Sequence, residues 1–81
     1  MEENTVYYSP VICYEIIPDK NSYHIKVYLN GCQGSKNNEL CCELRDFTED
    51  KAKAEAFAEH LAKNAALPIH IPELAEEFLS A

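Results

Sequence analysis

The last third of the chain, residues 46–79, constrains the fold more than any other part of the sequence. It has the pattern of a strand end, a capped amphipathic helix, a proline-bounded turn and a short acidic helix. In the first helical region, apolar residues recur at the spacing that places side chains on one face of an α-helix, at Ala54, Phe57, Ala58, Leu61 and Ala65. Because Thr48 is a suitable N-cap, we predict the first helix over residues 48–65, with Phe57 and Leu61 in the core.

The second helix is predicted over residues 72–80. Pro68 and Pro72 bound the connector before it, and a proline suits the first turn of a helix because its missing N–H is not needed there. The apolar stripe of this helix is Leu74, Ala75, Phe78 and Leu79. A helix of about two turns is not stable alone in water, so it must dock on the rest of the domain.

Three segments before the helices predict β-strands. Residues 6–17 are rich in tyrosine, valine and isoleucine, and residues 23–30 and 39–46 alternate between apolar and polar side chains. Antiparallel pairing with Ile25 opposite both Ile16 and Leu44 aligns the three apolar faces and sets Lys26 between Glu15 and Glu43. The sequence therefore predicts an α+β fold, a three-stranded antiparallel β-meander followed by two helices packed on one face.

Length and charge limit the domain organisation and the partners. Eighty-one residues form one β-β-β-α-α domain, in which residues 1–5 are expected to be disordered. Fourteen acidic against seven basic residues give a net charge of −7, which argues against nucleic acid and anionic membranes as partners. Because the N-terminus lacks the pattern of a signal peptide and no apolar run could span a membrane, we expect a cytoplasmic protein.

The cysteines and one histidine offer a candidate chemical site. In the predicted register Cys13, His24 and Cys41 all lie on the outer face of the sheet, where three such ligands could bind zinc. No cysteine pair has the C-x₂₋₄-C spacing of a structural zinc site, so we expect reduced thiols and no metal or cofactor. A metal- or thiol-dependent site on this open face is the alternative function. An enzyme ranks third because no acid, base and nucleophile can be placed together.

The open face of the sheet is also the predicted interaction surface. Two helices cover only one side of a three-stranded meander, so the other side carries an apolar patch of Tyr7, Val11, Cys13, Ile17 and Tyr28. Such a patch is typical of surfaces that bind a protein partner or a second copy of the chain. The acidic residues Glu73, Glu76 and Glu77 form either a solvated helix face or a docking surface for a basic partner.

The second half of the chain resembles a family of short, uncharacterised proteins, a domain of unknown function found mainly in clostridial-type Gram-positive bacteria. The residues that carry the resemblance are Leu44-Arg45-Asp46-Phe47-Thr48, Leu61 with Asn64, Leu67-Pro68-Ile69-His70-Ile71 and Leu74-Ala75-Glu76-Glu77-Phe78-Leu79. Pro72 after His70-Ile71 and Glu77 in place of aspartate depart from the family pattern. The resemblance implies no known activity and assigns no functional residue. We therefore expect a small cytoplasmic interaction or regulatory module that acts by binding rather than catalysis.

Overall fold

Four strands precede two helices in the computed structural model of the chain, which describes residues 4–32, 34–37 and 39–80. In chain order the elements are β1 (Thr5–Tyr8), β2 (Ile12–Pro18), β3 (Tyr23–Leu29), β4 (Cys41–Thr48), α1 (Lys51–Lys63), a 3₁₀ turn (Pro68–His70) and α2 (Ile71–Ser80). The strands form one antiparallel sheet in the order β1-β2-β3-β4. The α+β fold and the order of strands before helices are as predicted, but the sheet has four strands instead of three.

The additional strand arises from a hairpin inside residues 6–17, the segment predicted to be one strand. Ser9 donates its backbone N–H to the carbonyl of Ile12 at 3.0 Å, which closes the turn. Pro10 lies within this turn and has no N–H to offer a strand partner. The sheet ladder therefore stops at Pro10, and the chain reverses to form β1 and β2.

One residue of the segment predicted to be disordered, residues 1–5, lies in a strand. Thr5 belongs to β1 and lies opposite Ile16 of β2. Residues 1–3 of the segment predicted to be disordered lie outside the described residues.

The register of the three following strands is confirmed. Ile25 in β3 lies opposite Ile16 in β2 and opposite Leu44 in β4. Lys26 lies between Glu15 and Glu43, as the apolar alternation predicts. A single-residue slip would turn every one of these side chains to the other face, so the apolar pattern is enough to fix the register.

The β3–β4 ladder contains an irregularity near the end of β4. Ile25 lies opposite Leu44, but the next registered pair is Tyr23 with Thr48. Between these two pairs, β3 therefore contains one residue, His24, whereas β4 contains three, residues 45–47. The two extra residues form a bulge that bends the edge strand.

The bulge redirects two side chains of β4. Asp46 adopts the left-handed backbone conformation with φ of 51°, and Phe47 then turns into the core. Simple alternation would have pointed Phe47 outward. Regular continuation of the register would pair His24 with Arg45, but the bulge interrupts it, and the backbone N–H of Asp46 reaches the His24 ring instead.

The first helix is shorter than predicted at both ends. Thr48 belongs to β4, and the N-cap is Asp50, whose Oδ1 accepts a hydrogen bond from the Ala52 N–H at 2.9 Å. An aspartate at this position satisfies an otherwise unpaired N–H of the first turn. The helix runs over Lys51–Lys63 instead of residues 48–65.

The C-terminus of α1 ends in a left-handed cap. Ala65 has φ of 49°, its N–H donates to the Ala62 carbonyl, and the Ala66 N–H donates to the Leu61 carbonyl at 3.0 Å. This pair of bonds is the Schellman arrangement, in which glycine is the usual left-handed residue. Ala65 is therefore exposed and does not extend the apolar face of α1, contrary to the prediction.

The core lies between the sheet and the two helices. The first helix packs across all four strands, and Phe57 and Leu61 are fully buried, which confirms both as core residues. Phe57 stacks on Phe47 of β4 with ring centroids 4.6 Å apart and contacts Phe78 of α2 at 5.0 Å. These aromatic contacts join one strand and both helices. Neither of the helices in the described residues has the length and apolar character needed to cross a membrane.

Candidate functional site

The predicted interaction face is not a continuous exposed patch. Cys13 and Tyr28 alternate with core residues and point away from the helices, yet each is only 6 % exposed. Ile17 is half-buried, whereas Val11 is 61 % exposed in the turn between β1 and β2. This side of the sheet therefore presents far less apolar surface than the sequence predicts.

Tyr7 belongs to the opposite face from the one predicted. It lies opposite Tyr14 and packs against the core on the side covered by α1. Burial raises the pKa of Tyr7, and the α1 carboxylates Glu55 and Glu59 raise it further. The prediction is wrong because it continued one alternation through Pro10, where the chain reverses.

The predicted combination of Cys13, His24 and Cys41 is not assembled. Cys13 lies opposite Tyr28, and Tyr28 lies opposite Cys41, so the two cysteines are two strand spacings, about 10 Å, apart. His24 lies four residues from Tyr28 along β3. The four cysteines are thiols that form no disulfide, and burial raises the pKa of Cys42, which disfavours its reactive thiolate.

A different polar group forms where the β2–β3 turn meets the β4 bulge. We call it the turn–bulge cluster and define it as Asp19, Ser22, His24 and Asp46. His24 Nε2 lies 3.0 Å from Asp19 Oδ2, and the Asp46 backbone N–H donates to His24 Nδ1 at 2.8 Å. The Ser22 hydroxyl donates to Asp46 Oδ1 at 2.6 Å. Three chain segments therefore meet around one imidazole.

The hydrogen bonds in the cluster fix the tautomer of His24. Because Nδ1 accepts from a backbone N–H, the proton of the neutral ring lies on Nε2 and is donated to Asp19. This hydrogen bond holds the pKa of Asp19 below its usual range, and the backbone N–H of Lys20 lowers it further. The ring is only 15 % exposed, although Asp19 and Asp46 are open to solvent.

The local sequence explains why Asp19 lies beside His24, but not why Asp46 does. The Asp19 N–H donates to the Ser22 carbonyl at 2.9 Å and closes the turn after Pro18, which brings Asp19 back beside the start of β3. Asp46 enters only through the bulge, which regular alternation does not predict. A depression of about 550 Å³ adjoins the cluster and is lined by residues 18–23 and Glu49.

The C-terminal segment, residues 64–80, carries most of the exposed apolar side chains. Leu67, Ile69 and Leu79 are each about half exposed and are three of the five large apolar side chains that the described residues expose. The other two, Tyr8 and Val11, lie in or beside the β1–β2 turn. The predicted apolar stripe of α2 is thus confirmed at Ala75, which is buried, and at Leu74 and Phe78, which pack against the core, but not at Leu79.

The same segment is uniformly acidic. Residues 64–80 contain three glutamates, Glu73, Glu76 and Glu77, and no lysine, arginine or aspartate, so their formal charge is −3. All three glutamates are exposed on α2. Residues 64–80 therefore combine exposed apolar side chains with acidic ones, and His70 is the one basic side chain among them.

Comparison with known proteins identifies a family but no activity. A family model described as "Family of unknown function (DUF6514)" matches residues 2–81, which is nearly the whole chain. No curated protein and no solved structure matches the sequence. The match covers the strands of the first half as well as the helical second half that carried the sequence resemblance.

Proposed function

We propose that this chain, which belongs to the DUF6514 family of unknown function, acts by binding a basic, amphipathic segment of a partner protein. The observation that carries the proposal is the composition of the C-terminal segment. Its exposed apolar side chains, Leu67, Ile69 and Leu79, accompany three glutamates and no lysine or arginine. A partner with apolar anchors and intervening lysines or arginines complements that pattern.

The geometry of α2 suits an elongated partner. Leu67 and Ile69 lie just before the helix, and Leu79 lies near its end, so the ten residues of α2 separate the apolar ends by about 15 Å. The exposed glutamates lie between them along the chain. A basic helix laid along α2 would place apolar side chains at both ends and cations between them.

The energetic contribution of each apolar contact is modest. A half-exposed leucine or isoleucine gains on the order of 1 kcal/mol when a partner covers its remaining apolar area. Charge adds to association, because a protein of net charge −7 attracts a basic partner over several ångströms and repels an acidic one. We therefore expect a weak interaction whose affinity decreases as the salt concentration rises.

The same charges argue against a homodimer through this segment. Two copies meeting along α2 would bring Glu73, Glu76 and Glu77 of one chain towards those of the other. Like charges facing each other at an interface cost binding energy. The proposed occupant is therefore a partner protein and not a second copy of the chain.

Titration with two designed peptides tests the proposal. One is an amphipathic Leu–Lys helix of about 18 residues, and the other has glutamate at every lysine position. We expect the Leu–Lys peptide alone to bind in isothermal titration calorimetry, and its affinity to fall between about 50 and about 500 mM salt. The double variant Ile69→Ser/Leu79→Ser should weaken this binding by about tenfold or more.

The remaining exposed apolar residues supply a matched control. Tyr8→Ser/Val11→Ser removes apolar surface at the β1–β2 turn and should leave the peptide affinity unchanged. Equal losses in both double variants would show non-specific attraction to an acidic protein and overturn the proposal. Binding that is undiminished in Ile69→Ser/Leu79→Ser would also overturn it.

A further inference from the structure

We propose that the turn–bulge cluster binds a divalent transition-metal ion through His24 Nδ1 and the Asp46 carboxylate, with Asp19 orienting the imidazole. Among the His, Cys, Asp and Glu side chains that the structure describes, Asp19, His24 and Asp46 form the one group of three in which a ligand atom from each lies within 4.8 Å of the other two. Each comes from a different segment: the β2–β3 turn, β3 and the β4 bulge.

The distance between the two proposed ligands suits an ion with little movement. His24 Nδ1 and Asp46 Oδ1 are 4.0 Å apart. Bonds of about 2.1 Å to nitrogen and oxygen place two ligand atoms about 3.4 Å apart at a tetrahedral ion and about 3.0 Å apart at right angles, so the carboxylate needs to approach by roughly 0.6–1 Å. Asp46 is exposed and lies in a bulge, so its side chain has room to make that movement.

Asp19 has the position of an orienting carboxylate. A histidine that binds a metal through one ring nitrogen commonly donates the other N–H to a carboxylate, which fixes the tautomer and strengthens the ligand. Here Nε2 lies 3.0 Å from Asp19 Oδ2, while the Asp46 backbone N–H donates to Nδ1. The unprotonated nitrogen therefore faces Asp46, the side on which the second ligand lies.

Binding requires the exchange of one hydrogen bond. The backbone N–H of Asp46 occupies the Nδ1 lone pair at 2.8 Å, and the ion must displace it. Asp46 lies at the exposed bulge, so water can take over the released N–H. The exchange replaces a neutral hydrogen bond with coordination to an ion whose charge is partly neutralised by Asp46 and, at longer range, by Asp19.

The ligand chemistry selects the class of ion. Calcium and magnesium take oxygen ligands, whereas imidazole nitrogen with carboxylate oxygen suits zinc, copper or nickel. Water is available for the other coordination positions, and the Ser22 hydroxyl donates to Asp46 Oδ1 at 2.6 Å, which helps to orient that carboxylate. The Asp46 side chain is 76 % exposed, so an ion can reach it from solvent without unfolding the turn.

Nickel is the probe for the test, because paramagnetic Ni²⁺ also locates its binding site. In a ¹H–¹⁵N spectrum of the whole chain, we expect Ni²⁺ to broaden amide signals first in residues 19–24 and 44–48. Calorimetry should show a single site that weakens by about tenfold or more in both His24→Gln and Asp46→Asn. Asp19→Asn should weaken binding less than Asp46→Asn, because it removes an orienting group instead of a ligand.

Two controls separate this site from other nickel-binding groups. His60 and His70 are exposed on α1 and in the 3₁₀ turn, and the double variant His60→Gln/His70→Gln should bind Ni²⁺ as the unmodified chain does. Thermal melts establish that each variant is folded before titration. In addition, long-range ¹H–¹⁵N spectra should show that His24 keeps its Nε2 proton when the ion binds.

Three results would overturn the proposal. The first is Ni²⁺ affinity that is unchanged in a folded His24→Gln or Asp46→Asn variant. The second is broadening that begins at Cys41 and Cys42 instead of at the cluster. The third is transfer of the ring proton from Nε2 to Nδ1 on binding, which would exclude Nδ1 as the ligand.

Discussion

The hydroxyl of Tyr14 donates a 2.7 Å hydrogen bond to the backbone carbonyl of Ala66, 52 residues further along the chain. Tyr14 is fully buried in β2, and Ala66 lies where the chain leaves the cap of α1. Burial raises the pKa of Tyr14, and the nearby Ser9 hydroxyl partly offsets this rise. The bond therefore ties the middle of the sheet to the start of the connection that exposes Leu67.

Replacing this tyrosine tests the contribution of the bond. Tyr14→Phe keeps the ring and removes the donor, so we expect the free energy of unfolding to fall by about 1–2 kcal/mol. Urea denaturation followed by circular dichroism measures the change. Tyr8→Phe, at a side chain that is 70 % exposed, is the control and should have no measurable effect. Equal stability of Tyr14→Phe and the unmodified chain would show that the bond contributes nothing.

Ala65 offers a stabilising substitution. It holds a left-handed conformation with φ of 49° at the end of α1, where a side chain is sterically disfavoured and glycine is not. We expect Ala65→Gly to raise the free energy of unfolding by about 1 kcal/mol. Ala56→Gly, at an exposed position inside the same helix, should lower it by about 1 kcal/mol. A loss of stability in both variants would contradict the left-handed cap.

The aromatic contacts predict a large loss at Phe57. The fully buried ring stacks on Phe47 at 4.6 Å and contacts Phe78 at 5.0 Å, so truncation leaves a cavity between one strand and two helices. We expect Phe57→Ala to cost about 3–5 kcal/mol, measured by the shift in urea midpoint. Leu79→Ala, at a half-exposed side chain, should cost about 0.5 kcal/mol or less. Similar losses in the two variants would place Phe57 outside the core.

Side-chain periodicity predicts most of this fold because it records which face of each element is buried. The register around Ile25 and the buried positions Phe57 and Leu61 follow from apolar spacing alone. The fourth strand was missed because β1 and β2 have the same apolar composition, and the signal for the turn is a single proline, Pro10. A proline in a strand pattern is compatible with an edge, a bulge or a turn, and only the pairing partner decides among them.

The candidate sites were harder to predict because they depend on exceptions to periodicity. Reversal at Pro10 moves Tyr7 to the covered face, and the β4 bulge brings Asp46 to His24. Apart from Pro10, the local composition of the sequence marks neither the reversal nor the bulge. The spacing of Asp19 and His24 across a short turn indicates that these two side chains can meet. Nothing in the sequence indicates that Asp46 of β4 joins them. By contrast, the acidic character of α2 was visible in the sequence from the start.

The contact between Asp19 and His24 predicts a specific dependence of stability on acid. The hydrogen bond from His24 lowers the pKa of Asp19 below its ordinary value of 3.8, so the folded state favours the ionised carboxyl more than the unfolded state does. The resulting stabilisation is fully present above about pH 4 and is lost as the pH falls through the lower folded-state value. We expect the urea midpoint of the unmodified chain to decrease more steeply on acidification than that of Asp19→Asn, which has no carboxyl to titrate. Midpoints measured from about pH 6 to about pH 2 give both slopes.

Glu76→Gln removes an exposed carboxyl from α2 and should keep the steeper slope. If Asp19→Asn retains that slope as well, the hydrogen bond between Asp19 and His24 does not form in solution.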